Sequence, residues 1–496
     1  MKVRNLIMAS AIILAQTSMT AGAINIESAT PTVQNGSATI TNSNKTINQT
    51  TARVDIDWTG FDTTAGQTVT FNQPSASAIA INRISGSATD FAGTLNANGR
   101  VVLINPAGFT FANGSAVNAG ALVATTSSLP ISDSVDSPNS ITLYRSTKNA
   151  GSIVNNGTIK VPAGGNVAFV APTVTNTGTI TQKDSKLGAI NVDIYGGEFR
   201  TVTFGTAPLI SYSVPASKLA NIAVTNSGTI NAGGGTVVLT ATDTVNLANS
   251  VMNLSGMIDS SSLSSSKSGG SIYMNSAGSI TSSATIDVDA ASNSKSSTKG
   301  GNVIIKAGKD VTITGDISAN AGDKGAGGAI SVTSNTGDVT KGDASDFYAK
   351  GGVTDGKGGT ITLAAKSDLV VGGILDASAP KKGSGGKIRL TATEDKLKRR
   401  HGLNLNVAGG NDSTEDFDAG MGGEIIYKVK NDTKLVNVAS NGTTETKDTS
   451  KGLRISGSIT VNASPRSDAA KAGSVSVDYS TGTDVKTSCT LSNSGC

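Results

Sequence analysis

Few residues in this 496-residue chain could carry chemistry. Its one histidine, His401, closes the basic run Lys396-Leu397-Lys398-Arg399-Arg400. A general base needs an imidazole oriented by a partner and tuned near neutral pH. An imidazole beside two guanidiniums instead reads as part of a charged surface loop or short helix, Thr393 to Leu403. Carboxylates gather twice. Asp55 and Asp57 alternate in VDIDW, which puts both on one strand face, where they read as a surface pair. Asp412, Glu415, Asp416 and Asp418 crowd GGNDSTEDFDAG, a source of oxygen ligands for a weakly held cation, but without a complete calcium-binding repeat. Acid–base catalysis needs carboxylates whose surroundings drive their pKa values apart. Neither group shows that arrangement, so no catalytic residue, metal site or cofactor is expected and the chain is read as non-enzymatic. Lys396, Lys398, Arg399 and Arg400 remain a weak candidate for contacts with acidic glycans, against the plainer reading of a solvated charge run.

Cys489 and Cys496 are the two cysteines. In a secreted chain an isolated pair favours one disulfide closing the loop SCTLSNSGC. So short a loop constrains little of the unfolded chain. It reads either as a staple against fraying or as a local shape to be recognised or retained.

Residues 1–23 read as an export signal. Lys2 and Arg4 precede the short apolar core LIMASAIIL, and Ala21-Gly22-Ala23 fits the small-x-small rule for cleavage before Ile24. Removing those two basic residues leaves 38 against 36 acids, a nearly neutral chain without the basic face that nucleic-acid binding requires.

The elements that must carry these residues are β-strands. Aromatics make up 4% and charged residues 15% of a chain with 59 glycines, a mix poor for long helices. Short runs such as TVVLT, NVIIK, TITL and KIRL recur, each preceded by paired glycines: Gly234-Gly235, Gly300-Gly301, Gly358-Gly359, Gly385-Gly386. A second phrase alternates with the first: VNNGTI at 154–159, TNTGTI at 175–180, TNSGTI at 225–230. Repeats shorter than a domain describe a solenoid of stacked parallel strands, because no single coil can bury its apolar face alone. Coils of roughly 20 to 25 residues would give about 20 tiers and a rod on the order of 100 Å. Ser128 to Ser146, with Pro130 and Pro138, reads as an excursion off the rod.

The N-terminal third adds a resemblance. SATITNSNKTINQTTARVDIDWTGF (37–61), AGQTVTFNQPSASAIAINRISG (65–86) and GTLNANGRVVLINPAGFTFANGSAVNAGALVATT (93–126) closely resemble, in order, the secretion domain of two-partner-secretion exoproteins, the filamentous-haemagglutinin family. The likeness runs over roughly Thr30 to Thr240. The family's Asn-Pro-Asn-Gly motif falls on Asn105-Pro106-Ala107-Gly108, followed by Phe109, with Ala107 in place of the second Asn. No copy of the Asn-Pro-Asn-Leu motif of some members is present. The resemblance implies an all-β fold, a right-handed single-stranded parallel β-helix. It also implies export through an outer-membrane β-barrel transporter whose periplasmic domains recognise this region. Pro106 fixes its own φ and restricts Asn105, Gly108 permits a reversal, and Asn105 can satisfy turn backbone. Asn105 and Pro106 therefore either contact the transporter or only hold the turn. The cysteine pair resembles the terminal loop by which high-molecular-weight adhesins of this class stay at the cell surface.

The expected organisation is a signal (1–23), a secretion domain (24–250), a repeat stalk (251–480) and a terminal disulfide loop (481–496). The expected role is adhesion or aggregation, secreted or tethered at the outer-membrane surface, with an unidentified receptor on a host or neighbouring cell. Capture of a ligand such as a host carrier protein for nutrient acquisition is the alternative, and a cytolysin a further one.

Overall fold

Three walls of parallel strands enclose one continuous apolar core, in a computed structural model. It describes residues 24–129, 140–144, 151–184, 188–197, 200–203, 210–211, 222–241, 250–262, 267–291, 297–379, 383–393, 397–400, 403–409, 423–429, 434–438, 444–448, 458–460, 474–481 and 484–485. One coil shows the plan. Arg100–Ile104 lies in wall 1, Phe109–Phe111 in wall 2, Ala116–Asn118 in wall 3, and Ala121–Thr125 returns to wall 1 beside Arg100–Ile104. Among the described residues the walls hold 16, 13 and 15 strands. This is the all-β parallel β-helix that the repeats imply. The three-residue 3-10 turn Ile26–Ser28 is the one helical element among the described residues.

The tier count departs from expectation. Two wall-1 strands, Pro31–Asn35 and Asp484–Val485, pair antiparallel, leaving fourteen stacked tiers among the described residues, against an expected 20 or so. At about 4.8 Å per tier the stack is roughly 60 Å long. Coil length varies along the chain, from 45 residues at Leu122 and Val167 to 25 at Asn166 and Asn191 and 27 at Thr360 and Lys387. In-register partners are 21 residues apart at Arg100 and Ala121, 31 at Ser271 and Asn302, and 50 at Glu424 and Ser474. The surplus goes into turns, which add no height.

The glycine pairs have a steric cause. A Cβ on Gly301 would land on the carbonyl oxygen of Gly270, one on Gly328 on that of Gly301, and one on Gly359 on that of Gly328. These glycines stack backbone on backbone at the corner from wall 3 to wall 1. Their N–H groups close the coil: Gly301 donates to Val288 O and Gly328 to Ala319 O, both at 2.7 Å. The NxGTI phrases stack likewise at the wall 2 to wall 3 corner, where Gly178 sits on Gly157 and Gly228 on Gly178. Their asparagines form an interior ladder. Asn155 donates to Asn176 and Asn176 to Asn226, each at 2.7 Å, with all three side chains fully buried. An amide both donates and accepts, so a column of them satisfies itself where one alone would be costly.

Burial separates two parts of the rod. In the later coils wall-1 strands bury alternate residues, as in Thr360–Ala365 and Lys387–Ala392. In the early coils they are buried on both faces, as in Ala121–Thr125 and Asn166–Ala171. Ile79, Ile81, Val102, Ile104, Val123 and Val170 form a second core on the outer side of wall 1. It is roofed by a small antiparallel sheet of Ser140–Leu143, Arg200–Thr203 and Ile210–Ser211. The excursion after Ser128 is thus half of this roof. Its partner strand Arg200–Thr203 carries no sequence signal that separates it from the coils.

Leu397–Arg400 is a wall-2 strand, pairing with Leu369–Val371 and Lys434–Val438, which corrects the loop or short helix expected there. The strands stacked on both sides impose extended backbone on a charged segment that would not choose it.

Candidate functional site

The motif residues sit at the corner between Arg100–Ile104 and Phe109–Phe111. The Gly108 N–H donates to Asn105 O at 3.0 Å, closing a four-residue turn, and Gly108 has φ of 122°, a conformation that favours glycine. Asn105 is fully buried. Its Nδ2 donates to the Ser87 carbonyl and to Thr89 Oγ1, each at 2.9 Å, and its Oδ1 accepts the Ala107 N–H at 3.0 Å. The side chain therefore ties its own turn to the coil below. Pro106 is half-buried and Ala107 exposed. The turn uses only the backbone of Ala107, so the missing second Asn costs the corner none of these bonds. The Pro106 carbonyl accepts the N–H of Gly151 from the coil above at 2.9 Å.

Behind the corner lies an aromatic stack. Trp58 meets Phe61 edge-on at 5.2 Å, and Phe61, Phe91, Phe109, Phe111 and Phe169 continue it at centroid spacings of 4.6 to 6.4 Å. Such pairs add to area burial. The Trp58 indole N–H donates to Asn82 Oδ1 at 3.0 Å, so the largest buried side chain has its polar atom satisfied. No motif in the sequence marks this stack. Its signal was present, since most of the chain's 10 phenylalanines precede residue 170.

Asp55 and Asp57 are not the surface pair expected. Asp55 is fully buried, bonded to Arg53 Nε at 2.9 Å and Arg83 Nη2 at 2.7 Å, while Asp57 is more open and takes Arg83 Nη1 at 3.2 Å. Arg83 Nε also donates to Leu129 O at 3.0 Å, which pins the start of the roof. Buried charges persist only when paired in this way. The carboxylates are thus structural.

In the coils after residue 268, Asp287, Lys341 and Tyr348 depart from ordinary values, Tyr348 being raised by burial and by its bond to Asp346. Asp287 is raised to about 6, first by burial and then by the charges of Asp289 and Asp259 in the same column of turns. Lys341 is buried in the core, in register between Ile313 and Val371. Its Nζ donates to the Ser345 carbonyl and to Gly372 O at 2.6 Å, and lies 5.0 Å from the Phe347 ring centroid. Burial lowers its pKa to about 8, against the opposing pull of Asp346, Asp316 and Asp343. The folded state then releases this proton at lower pH than the unfolded chain. Between about pH 8 and 10.5 the unfolded chain binds more protons, so stability rises with pH there. The expected gain is on the order of 3 kcal/mol. Urea midpoints measured from pH 7.5 upward should show the rise in wild type and lack it in Lys341→Met; a flat wild-type profile contradicts it.

Among the described residues no group of three or more His, Cys, Asp or Glu could hold a metal. Ala21, Ala23, Lys396, His401, Asp412, Glu415, Asp416, Asp418, Cys489 and Cys496 lie outside the described residues or, for Ala21 and Ala23, precede them. Ile24 is the first residue described and is exposed. Lys398, Arg399 and Arg400 fall on the wall-2 strand already described. The structure brings together only the corner residues, Asn105 to Phe109.

A family model, the TPS secretion domain, matches residues 23–268. Residues 23–268 are a TPS secretion domain. By this domain the chain belongs with the two-partner-secretion exoproteins. The HMW1 secretion domain of Haemophilus influenzae is similar in structure: TM-score 0.52, 20% identity, covering 83% of this chain and 97% of that one. At that identity the likeness speaks for the fold. Two heme/hemopexin-binding proteins of H. influenzae are each 42% identical over 85 residues, 17% of this chain. The chain spans only 9% of the length of these relatives. The TPS domain and the following coils share one uninterrupted core, from Ile26 to Ile425.

Proposed function

We propose that this exoprotein is a non-enzymatic surface adhesin or aggregation factor, with the TPS domain directing export and the coils after it forming a stalk. One observation carries the reading: a single core continues through regular coils, and the described roof sheet covers the TPS domain alone. A terminal loop closed by Cys489 and Cys496 would hold the chain at the cell. The heme/hemopexin-binding relatives support a second reading, capture of a ligand from the host.

The buried state of Asn105 further supports a role in folding. A partner cannot reach a fully enclosed amide, so in the folded domain Asn105 sets coil register and the exposed surface of the turn is left to Ala107. Its contribution to export then falls when the emerging chain folds.

Fractionation of cells with and without the barrel transporter tests the route. Protein should reach the surface or medium only with the transporter, and its division between cell and medium should shift to the medium in Cys489→Ser. Cell-binding and aggregation assays of the displayed chain test adhesion. Binding of heme or hemopexin with no effect on cell adherence would select the capture reading instead.

A further inference from the structure

We infer that the secretion corner is a clasp spanning three coils, in which Thr89 and Gly151 are positioning residues as necessary as Asn105. This rests on the reading of the corner as an export determinant, and extends it to two positions well apart from the motif in sequence.

Thr89 opens the strand Thr89–Phe91 in wall 2, directly beneath Phe109–Phe111, and is buried. Its hydroxyl accepts one N–H of the Asn105 amide, and its own N–H donates to Gly108 O at 3.0 Å. Thr89 thus meets both ends of the turn: the side chain of the first residue and the carbonyl of the last. The Ser87 carbonyl takes the other amide proton of Asn105. No freedom is left in the orientation of that amide, and its oxygen is directed at Ala107 N–H.

Gly151 completes the clasp from above. It starts the coil that resumes after the roof excursion, and its N–H reaches Pro106 O. A Cβ there would land on the carbonyl of Ala107 and crowd Gly108 N. All are backbone atoms of the turn, which cannot swing aside as a side chain could. Gly151 is followed by Ser152–Asn155, whose Ile153 pairs with Phe109. The chain leaves the rod after wall 1 of one coil and must re-enter wall 2 in register about 25 residues later; the corner's upper face is where it lands.

The clasp explains why a turn matters to export of a long solenoid. A one-residue slip between coils would turn every inward side chain outward. Thr89, Asn105 and Gly151 fix register across the coils on either side of the excursion, before the uniform stalk is added.

The test compares Thr89→Val, Thr89→Ser, Gly151→Ala and Asn105→Ala in the full chain coexpressed with its transporter. Surface plus medium protein is measured, together with the emission maximum of Trp58, the chain's only tryptophan, in purified protein. Thr89→Val keeps shape and removes the acceptor; Thr89→Ser keeps the acceptor. Thr89→Val, Gly151→Ala and Asn105→Ala should each lower exported protein by about fivefold or more, the scale of one lost kcal/mol. Thr89→Ser should export like wild type, which a requirement for the methyl group's packing would not allow. Asn105→Ala impaired while Thr89→Val and Gly151→Ala export normally overturns the clasp and leaves the motif acting alone. Normal export of Asn105→Ala overturns the reading of the corner itself. Thr89→Ser failing as badly as Thr89→Val, with native Trp58 emission, also overturns the clasp, because the hydroxyl would then not be the determinant.

Discussion

Alanine at Gly328 is expected to unstack the coils at that tier and to cost upwards of about 4 kcal/mol. The added Cβ falls on the Gly301 carbonyl, with Gly300 backbone beside it. Two hydrogen bonds run through the same spot: Gly328 N–H to Ala319 O at 2.7 Å, and Ala329 N–H to Gly301 O at 3.0 Å. Relief requires the coils to part, which lengthens both bonds and opens the core at Ile305 and Ile330. Ordinary overpacking costs about 1–3 kcal/mol because side chains rearrange; here only backbone faces the intruder. The contrast is Gly114→Ala. No atom lies within 4 Å of a Cβ there, and only its φ of 85° opposes the change. That should cost about 1–2 kcal/mol. Urea titrations followed by far-ultraviolet circular dichroism compare the two. Limited proteolysis of Gly328→Ala should cut near the altered tier while Trp58 emission stays native. Equal midpoints for the two variants would show that the glycine column is not held by sterics.

Much of this follows from sequence because a solenoid is built from local rules. Gly-Gly before a β-run and Asn-x-Gly-Thr-Ile before the next mark the two corners where backbone stacks on backbone. The strand runs between them set the walls. The fully apolar run Val101-Val102-Leu103-Ile104 also announced burial on both faces, since a half-exposed strand alternates. What escaped is non-local. Asp55 reads as a surface acid until Arg53 and Arg83 close on it and Leu129 folds over. Arg200–Thr203 looks like any other strand, and only its antiparallel partner places it in the roof. Lys341 reads as solvent-facing, yet alternation within Val339–Lys341 turns it inward. There two extra residues in the following turn bring carbonyls to its ammonium: six steps separate Lys341 from Phe347, against four from Ile313 to Ile317. Thr89 lies outside the motif it completes, and no spacing rule connects a threonine to an amide one coil away.

The corner gives the second large effect, and its sign depends on charge. Asn105→Ala removes one acceptor and two donors from a closed site. Ser87 O and Thr89 Oγ1 each lose a bond, and Ala107 N–H loses its acceptor. An unpaired buried group costs about 1–3 kcal/mol; of the three only Thr89 is buried, Ser87 being half-buried and Ala107 exposed, and the turn's own Gly108 to Asn105 bond survives, so the loss should be about 1–3 kcal/mol. Asn105→Asp is nearly isosteric and should be worse at neutral pH. The new carboxylate still accepts from Ala107 but aims its second oxygen at the Ser87 carbonyl and Thr89 Oγ1 with no proton to give. Thr89 can turn its hydroxyl to donate; a carbonyl has nothing to offer. A buried carboxylate facing a carbonyl costs about 3–5 kcal/mol. Its pKa must then rise on folding, so the folded state binds the proton more tightly than the unfolded chain. Stability of Asn105→Asp should therefore recover as pH falls toward the carboxylate range, where the protonated acid donates to Ser87 O. Asn105→Ala should show no such recovery relative to wild type. Trp58, stacked behind the corner through Phe61, Phe91 and Phe109, reports unfolding of these coils in urea at pH 7.5 and 5. Asn105→Asp less stable than Asn105→Ala at the higher pH, with the gap closing at the lower, identifies the amide's donors as what the corner requires. The reverse order would mean that the oxygen alone matters, and that the turn within the coil, not its bond to the coil below, governs folding.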